Sequence, residues 1–169
     1  MYRLLWLVLF APLALAEDGP FHFDRDFDQE RPWQEIETQM PTAPRTDKLV
    51  EFTLDMRTDY RYFVDPASLS VGDDGVVRYT VIVKSPTDAK TISFEGLRCE
   101  DGERKLYAFG HADGTWSRNR TARWEPIQAR NPNSYQRALF YHYFCAQGVK
   151  RTVPELQRVL RTGGVYPHD

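Results

Sequence analysis

The 169-residue chain carries a formal net charge of −2, with 27% charged and 14% aromatic side chains. A balance so close to neutral sets up no field that would draw the whole domain to nucleic acid or to a membrane surface. Once an N-terminal signal is removed, about 150 residues remain, enough for one hydrophobic core.

Residues 1–16 read as an export signal. Arg3 gives the positive start, residues 4–10 are uninterruptedly apolar, and Pro12 breaks any helix. Ala14-Leu15-Ala16 then sets small residues at the positions a signal peptidase inspects. The apolar run is too short for a membrane anchor, which needs about 20 residues. Cleavage is expected after Ala16, and no cysteine follows the run to carry a lipid. The mature chain has no later apolar stretch of membrane length, so a soluble periplasmic domain with no transmembrane segment is the expectation.

Residues 17–47 read as an extended arm. Glu17, Asp18, Asp24, Asp26, Asp28 and Glu30 are opposed only by Arg25 within that acidic stretch, and Pro32, Pro41 and Pro44 interrupt any regular element. Phe21, Phe23 and Trp33 are too apolar for a pure linker, so the arm's aromatics are expected to dock while its carboxylates stay solvated. Asp24, Asp26, Asp28 and Glu35 match four positions of a calcium loop. Gln29 stands where that loop needs glycine, however, and Pro32 lies inside it. No metal or other cofactor is therefore expected.

From Lys48 to the C-terminus the sequence reads as one globular domain. Val77, Tyr79, Val81 and Val83 alternate with Arg78, Thr80, Ile82 and Lys84, a period of two. Asp74-Gly75, Asp101-Gly102 and Asp113-Gly114 sit between strand-like runs and suit tight hairpins. Ser85-Pro86-Thr87-Asp88 marks a further turn, and together these predict an antiparallel meander over residues 48–127. Ile92 and Phe94 fall on the opposite parity to Leu97 and Cys99, which predicts a bulge near Glu95-Gly96 that restores one buried face.

The remainder reads as helical. Asn131-Pro132-Asn133-Ser134 offers a cap, and Tyr135, Ala138, Leu139, His142 and Ala146 keep helical spacing, with Phe140 and Phe144 on the other side and Gly148 as the end. Thr152 and Glu155 suit a capping box for a second helix with Val153, Leu156, Val159 and Leu160 as its stripe, ended by Gly163-Gly164. The two cysteines, Cys99 and Cys145, lack Cys-x-x-Cys spacing and are read as a structural disulfide in an exported chain. The fold class is α+β: an antiparallel β-meander packed with C-terminal helices and stapled by one disulfide.

The run Phe94-Glu95-Gly96-Leu97-Arg98-Cys99, with Tyr107-Ala108-Phe109-Gly110 and Asp113-Gly114-Thr115-Trp116, resembles the cryptic-neisserial-protein-like family of exported bacterial proteins. Pro32-Trp33, Trp124, Tyr135-Gln136-Arg137 and Tyr143-Phe144-Cys145 extend the resemblance over most of the mature chain. It implies a periplasmic location and carries over neither an activity nor catalytic residues.

No nucleophile elbow, zinc-ligand spacing or phosphate-cradling glycine loop occurs. His142 falls on the face assigned to the core, and His111 lies beside a turn. The segment that stands out holds Trp116, Arg118, Arg120, Arg123, Trp124, Arg130, Tyr135 and Arg137 with Glu125 as its lone acid. Arginine beside aromatics is the composition of binding hot spots. Trp116, Arg118, Arg120, Arg123, Trp124, Tyr135 and Arg137 are therefore the candidate binding surface, with an anionic or acidic envelope component as partner. Nucleic acid would use similar chemistry, but the compartment argues against it. The alternative is a small periplasmic enzyme, and a cavity joining His111 or His142 to a carboxylate would favour it.

Overall fold

A computed structural model describes residues 32–42, 48–128, 134–147, 149 and 151–166. The proposed signal peptide, Asp24, Asp26, Asp28, Arg130, Asn131-Pro132-Asn133 and Gly148 lie outside the described residues. From Trp33 onward the chain forms one compact unit.

Its frame is an antiparallel sheet in meander order: β1 (Val50–Phe52), β2 (Arg61–Val71), β3 (Val76–Lys84), β4 (Lys90–Arg98), β5 (Glu103–Gly110) and β6 (Trp116–Arg118). A short β7 (Glu125–Pro126) also pairs with β5. The four turns that the sequence places are all present, and the β1–β2 connection, residues 53–60, is one it does not mark. Gly75, Gly102 and Gly114 take φ of 75°, 65° and 84°, and Asp88 takes 63° in the fourth turn. β2 is broken between Asp65 and Ser70, where the ladder to β3 skips at the point where Pro66 lacks a donor. There the Ser68 hydroxyl accepts the Thr80 N–H at 2.7 Å in place of a backbone carbonyl.

One sheet face carries Tyr62, Val64, Val77, Tyr79, Val81 and Leu97, packed with Phe52 on β1 against the C-terminal helices. Those helices are α1 (Tyr135–Ala138), which runs directly into a π-helical stretch (Leu139–Phe144), and α2 (Val153–Arg161). Leu139, Tyr143, Phe144, Leu156, Val159 and Leu160 supply their side of the core. Cys99 and Cys145 form the disulfide, with Cα atoms 5.3 Å apart, joining the end of β4 to the end of the π-helical stretch.

Two local expectations are corrected. β4 holds an unbroken register with β3, and the irregularity beside Glu95 lies in its ladder to β5, so β4 itself carries no extra residue at Glu95-Gly96. Both faces of the strand are covered instead: Leu97 points into the helix-side core, while Phe94 packs on Tyr107 and Trp116 across the other face. The extra residue is on β5, where Phe94 pairs with Ala108 and Glu95 with Leu106, leaving Tyr107 bulged. Gly96 makes room for it; a Cβ there would come 2.7 Å from the Tyr107 hydroxyl and 2.9 Å from its ring.

The first helix also departs from its expected spacing. The Cys145 N–H bonds the Phe140 carbonyl at 3.0 Å, an i→i+5 pairing. The wider turn brings Tyr143 and Phe144 into the core together and moves His142 to its margin. At α2, Thr152 occupies the N-cap position without a side-chain cap bond, and Glu155 pairs with Arg158 at 2.7 Å rather than closing a capping box.

Candidate functional site

The second sheet face carries Val76, Arg78, Thr80, Phe94 and Lys105, by the alternation of side chains along paired strands. Residues 33–41 cross it as an extended strap. The Trp33 indole donates to the Asp74 carbonyl at 2.9 Å, and its ring meets Trp124 edge-on at 5.7 Å with Arg98 over it at 4.2 Å. Further along, the Trp116 indole donates to the Pro41 carbonyl at 2.9 Å. Docking of Trp33 matches the expectation for the arm, but full solvation of its acids does not extend to Glu35. That carboxylate accepts Lys105 Nζ at 2.6 Å, the Tyr107 hydroxyl at 2.6 Å and the Trp124 indole at 3.2 Å, with Arg78 at 3.6 Å. The last position of the calcium-loop pattern is thus filled by protein donors.

Burial alone would raise the Glu35 carboxyl; the bonds from Lys105, Tyr107 and Trp124 outweigh it and hold the group below its ordinary value of 4.5. Asp74 behaves alike: burial raises it, while Arg78 and the Ile36 and Val76 N–H groups lower it below 3.8. A depressed carboxyl contributes stability that is complete above the unfolded value and is lost as pH falls through the folded one. Thermal stability should therefore decline as pH drops below about 4.5, and Glu35→Gln should remove part of that decline. A Glu35→Gln chain with the wild-type acid profile would show that the strap bonds contribute nothing.

On the helix side of the sheet lies a second polar cluster. Glu95, 2% exposed, accepts the Ser93 hydroxyl at 2.7 Å, the Tyr79 hydroxyl at 3.3 Å, the Gln136 amide at 3.4 Å and a bond from the Tyr135 hydroxyl. Burial first, then the Glu95 charge, pushes both phenols well above 10.0, so they stay protonated donors. Arg104 stands one pair further along the same face, opposite Leu97.

Tyr135 and Gln136 also wall a groove of about 740 Å³, closed on its other side by Arg104 and the returning chain at Arg123, Trp124 and Ile127. Pairing of β7 with β5 and an Ile127 N–H bond of 2.8 Å to the Gly102 carbonyl fix that returning chain. Glu125 receives both Arg104 and Arg123, each at 3.1 Å. One carboxylate between two guanidiniums leaves the rim basic.

The sequence-derived candidate surface is thereby divided. Arg123, Trp124 and Tyr135 meet at the groove, joined by Arg104 and Gln136, which sequence reasoning does not select; Glu95 is buried and reaches the groove only through its bonds to Tyr135 and Gln136. Arg118 lines a separate cleft of about 260 Å³ beside the strap, and Arg120 is exposed in the turn after β6. Trp116 lies under the strap, and Arg137 pairs with Asp55 and stacks over Tyr141. The overlooked signals were a glutamate inside the apolar run of a central strand and a glutamate two residues after Trp33.

Two histidines stand beside catalytic-type groups. His142 Nε2 lies 2.7 Å from Asp55 Oδ1, with Tyr166 stacked on the ring at 4.4 Å. Asp55 is also held by Arg137, and the cavity that Asp55 lines does not include His142. His111 Nε2 is 2.7 Å from the Ser117 hydroxyl on an exposed hairpin, where Asp113 is engaged by Thr115. Among the described residues, no cluster of His, Cys, Asp or Glu could hold a metal ion, and no helix is long and apolar enough to cross a membrane.

The chain is 27% identical over 163 residues to Cryptic neisserial protein 1 of Neisseria gonorrhoeae (strain ATCC 700825 / FA 1090), covering 82% of this chain and 79% of that one. No solved structure matches it. Residues 28–161 match the CNP1-like family, and that span takes in the strap, the whole sheet, the Glu95 cluster and both helices: the chain belongs to the CNP1-like family.

Proposed function

We propose that the protein is an exported periplasmic module that binds an anionic envelope component or acidic protein segment through the groove between Arg104, Arg123, Trp124 and Tyr135. The observation that carries this reading is the sharing of Glu125 by two guanidiniums on the rim of an aromatic-walled cavity. Arg118 and Arg120 add positive charge on the same returning segment. The polar groups that chemistry would need are already committed: the Glu95 carboxyl is ringed by four donors, and the Tyr135 phenol, pushed up by burial, stays protonated as one of them. Export rests on the three-part layout of residues 1–16 and is checked by an intact mass that begins at Glu17.

The binding test uses the mature full chain and a fluorescent polyglutamate peptide read by anisotropy. An Arg104→Ala/Arg123→Ala double change should weaken binding at least about ten-fold, the scale of losing charged anchors, with unchanged melting. Added salt should weaken the wild-type contact. Equal binding by wild type and variant at every ionic strength would remove the groove from consideration. The contact between His142 and Asp55 favours a second reading, a small periplasmic enzyme, but the cavity of about 360 Å³ lined by Asp55 does not include His142.

A further inference from the structure

The strap is fastened in an unusual way for an element that crosses a sheet. Among the described residues, no backbone-to-backbone bond joins residues 33–42 to any strand. None of residues 32–42 is buried; Trp33 and Ile36 keep 38% and 45% of their surface in water. The surface beneath is the reverse, with Arg78 and Tyr107 buried. Little apolar area therefore holds the strap, and its anchors are side-chain bonds: Glu35 to Lys105, Tyr107 and Trp124, Thr38 Oγ1 accepting Arg78 Nε at 3.1 Å, and the Trp33 indole on the Asp74 carbonyl.

Lifting the strap leaves a defined receptor. Lys105 Nζ, the Tyr107 hydroxyl and the Trp124 indole N–H all converge on the place of one carboxylate, and only donors face it. Burial first, then the bond to Glu35, pushes the Tyr107 phenol up, with Arg78 opposing, so it remains a donor. Beneath a seated segment these donors need an acceptor, and a carboxylate is the acceptor matching an ammonium beside two neutral donors. Arg98 and Trp124 form the seat for an aromatic ring at the Trp33 position, and Arg78 takes a hydroxyl at the Thr38 position.

We propose that this sheet face is a recognition site for an extended segment of a partner protein that carries a glutamate two residues after an aromatic, and that Glu35 masks the site in cis. The strap is the template of that ligand. Specificity comes from the side chains of β3, β5 and residue 124, held by the sheet, and not from strand addition. The site is distinct from the Arg104–Arg123 groove, although Trp124 borders both.

The probe is a labelled synthetic peptide of residues 32–42, titrated into the mature full chain. A Trp33→Ala/Glu35→Gln chain should bind it at least ten-fold more tightly than wild type, because the internal competitor is weakened. Adding Lys105→Ala to that chain, or making Glu35→Gln in the peptide, should reverse the gain. No saturable binding by the double variant with its melting preserved, or equal binding after Lys105→Ala, would overturn the proposal. A second measurement covers the case in which the double variant does not fold: excess peptide added to wild type should displace the strap and increase protease cleavage within residues 32–42. Unchanged cleavage would overturn the proposal independently. If wild type proves to be a dimer that dissociates on Glu35→Gln, a second copy's arm fills the site and the partner reading falls.

Discussion

Glu95→Ala is expected to destabilise the protein by about 3–5 kcal/mol, the range for removing one partner of a buried charged cluster. The carboxyl is the common acceptor of Ser93, Tyr79, Tyr135 and Gln136, which come from β4, β3 and the start of α1. Its removal orphans several buried donors at once and leaves a void between sheet and helix, and each orphan loses about 1–3 kcal/mol of compensation. The effects overlap, so their sum overstates the total. Glu95→Gln keeps the volume and one acceptor and should fall nearer the lower end. Urea denaturation midpoints give the comparison. A Glu95→Ala midpoint indistinguishable from wild type would mean that the cluster does not organise the sheet–helix junction.

Cys145→Ser is expected to be comparably severe. The bridge spans 46 residues, a loop whose closure is worth about 4 kcal/mol in the chain-entropy model. It also fastens the end of the π-helical stretch, which places Tyr143 and Phe144 in the core. Reducing agent should lower the melting temperature of wild type toward that of Cys145→Ser and leave the variant unmoved. A wild-type protein whose melting ignores reductant while its thiols titrate as free would show the bridge to be energetically idle.

The parts of the fold that could be read from sequence are those set by short-range chemistry. Asp-Gly pairs mark hairpins because glycine accepts positive φ locally, and an isolated cysteine pair without Cys-x-x-Cys spacing has few alternatives. Misreadings arose where a distant segment decides. The parity change between Phe94 and Leu97 looks like a bulge only if one face of β4 is exposed, and the strap that covers the other face is encoded some 60 residues earlier. A period of 3.6 puts His142 in the core, whereas the helix widens to π there and sets it at the margin. The groove was half legible: Arg123, Trp124 and Tyr135 stood out by composition. Arg104 became its fourth wall only through the β5–β7 pairing, which residue types alone do not announce.

The strap has a further consequence for the order in which the molecule can assemble. Its bonds reach Lys105, Tyr107 and Trp124 across sequence separations of 70, 72 and 89. Emerging early during synthesis, it has nowhere to sit until the chain through Trp124 has arrived and paired. Contacts of such long range form late, after their loop-closure entropy has been offset by the hairpins between them. The strap therefore belongs to the final closing of the fold and not to its nucleus. Loosening it through Glu35 should accelerate unfolding while leaving the folding rate nearly unchanged, as for any interaction absent from the transition state. The segment encoded first among the described residues is thus expected to be the last to take its place.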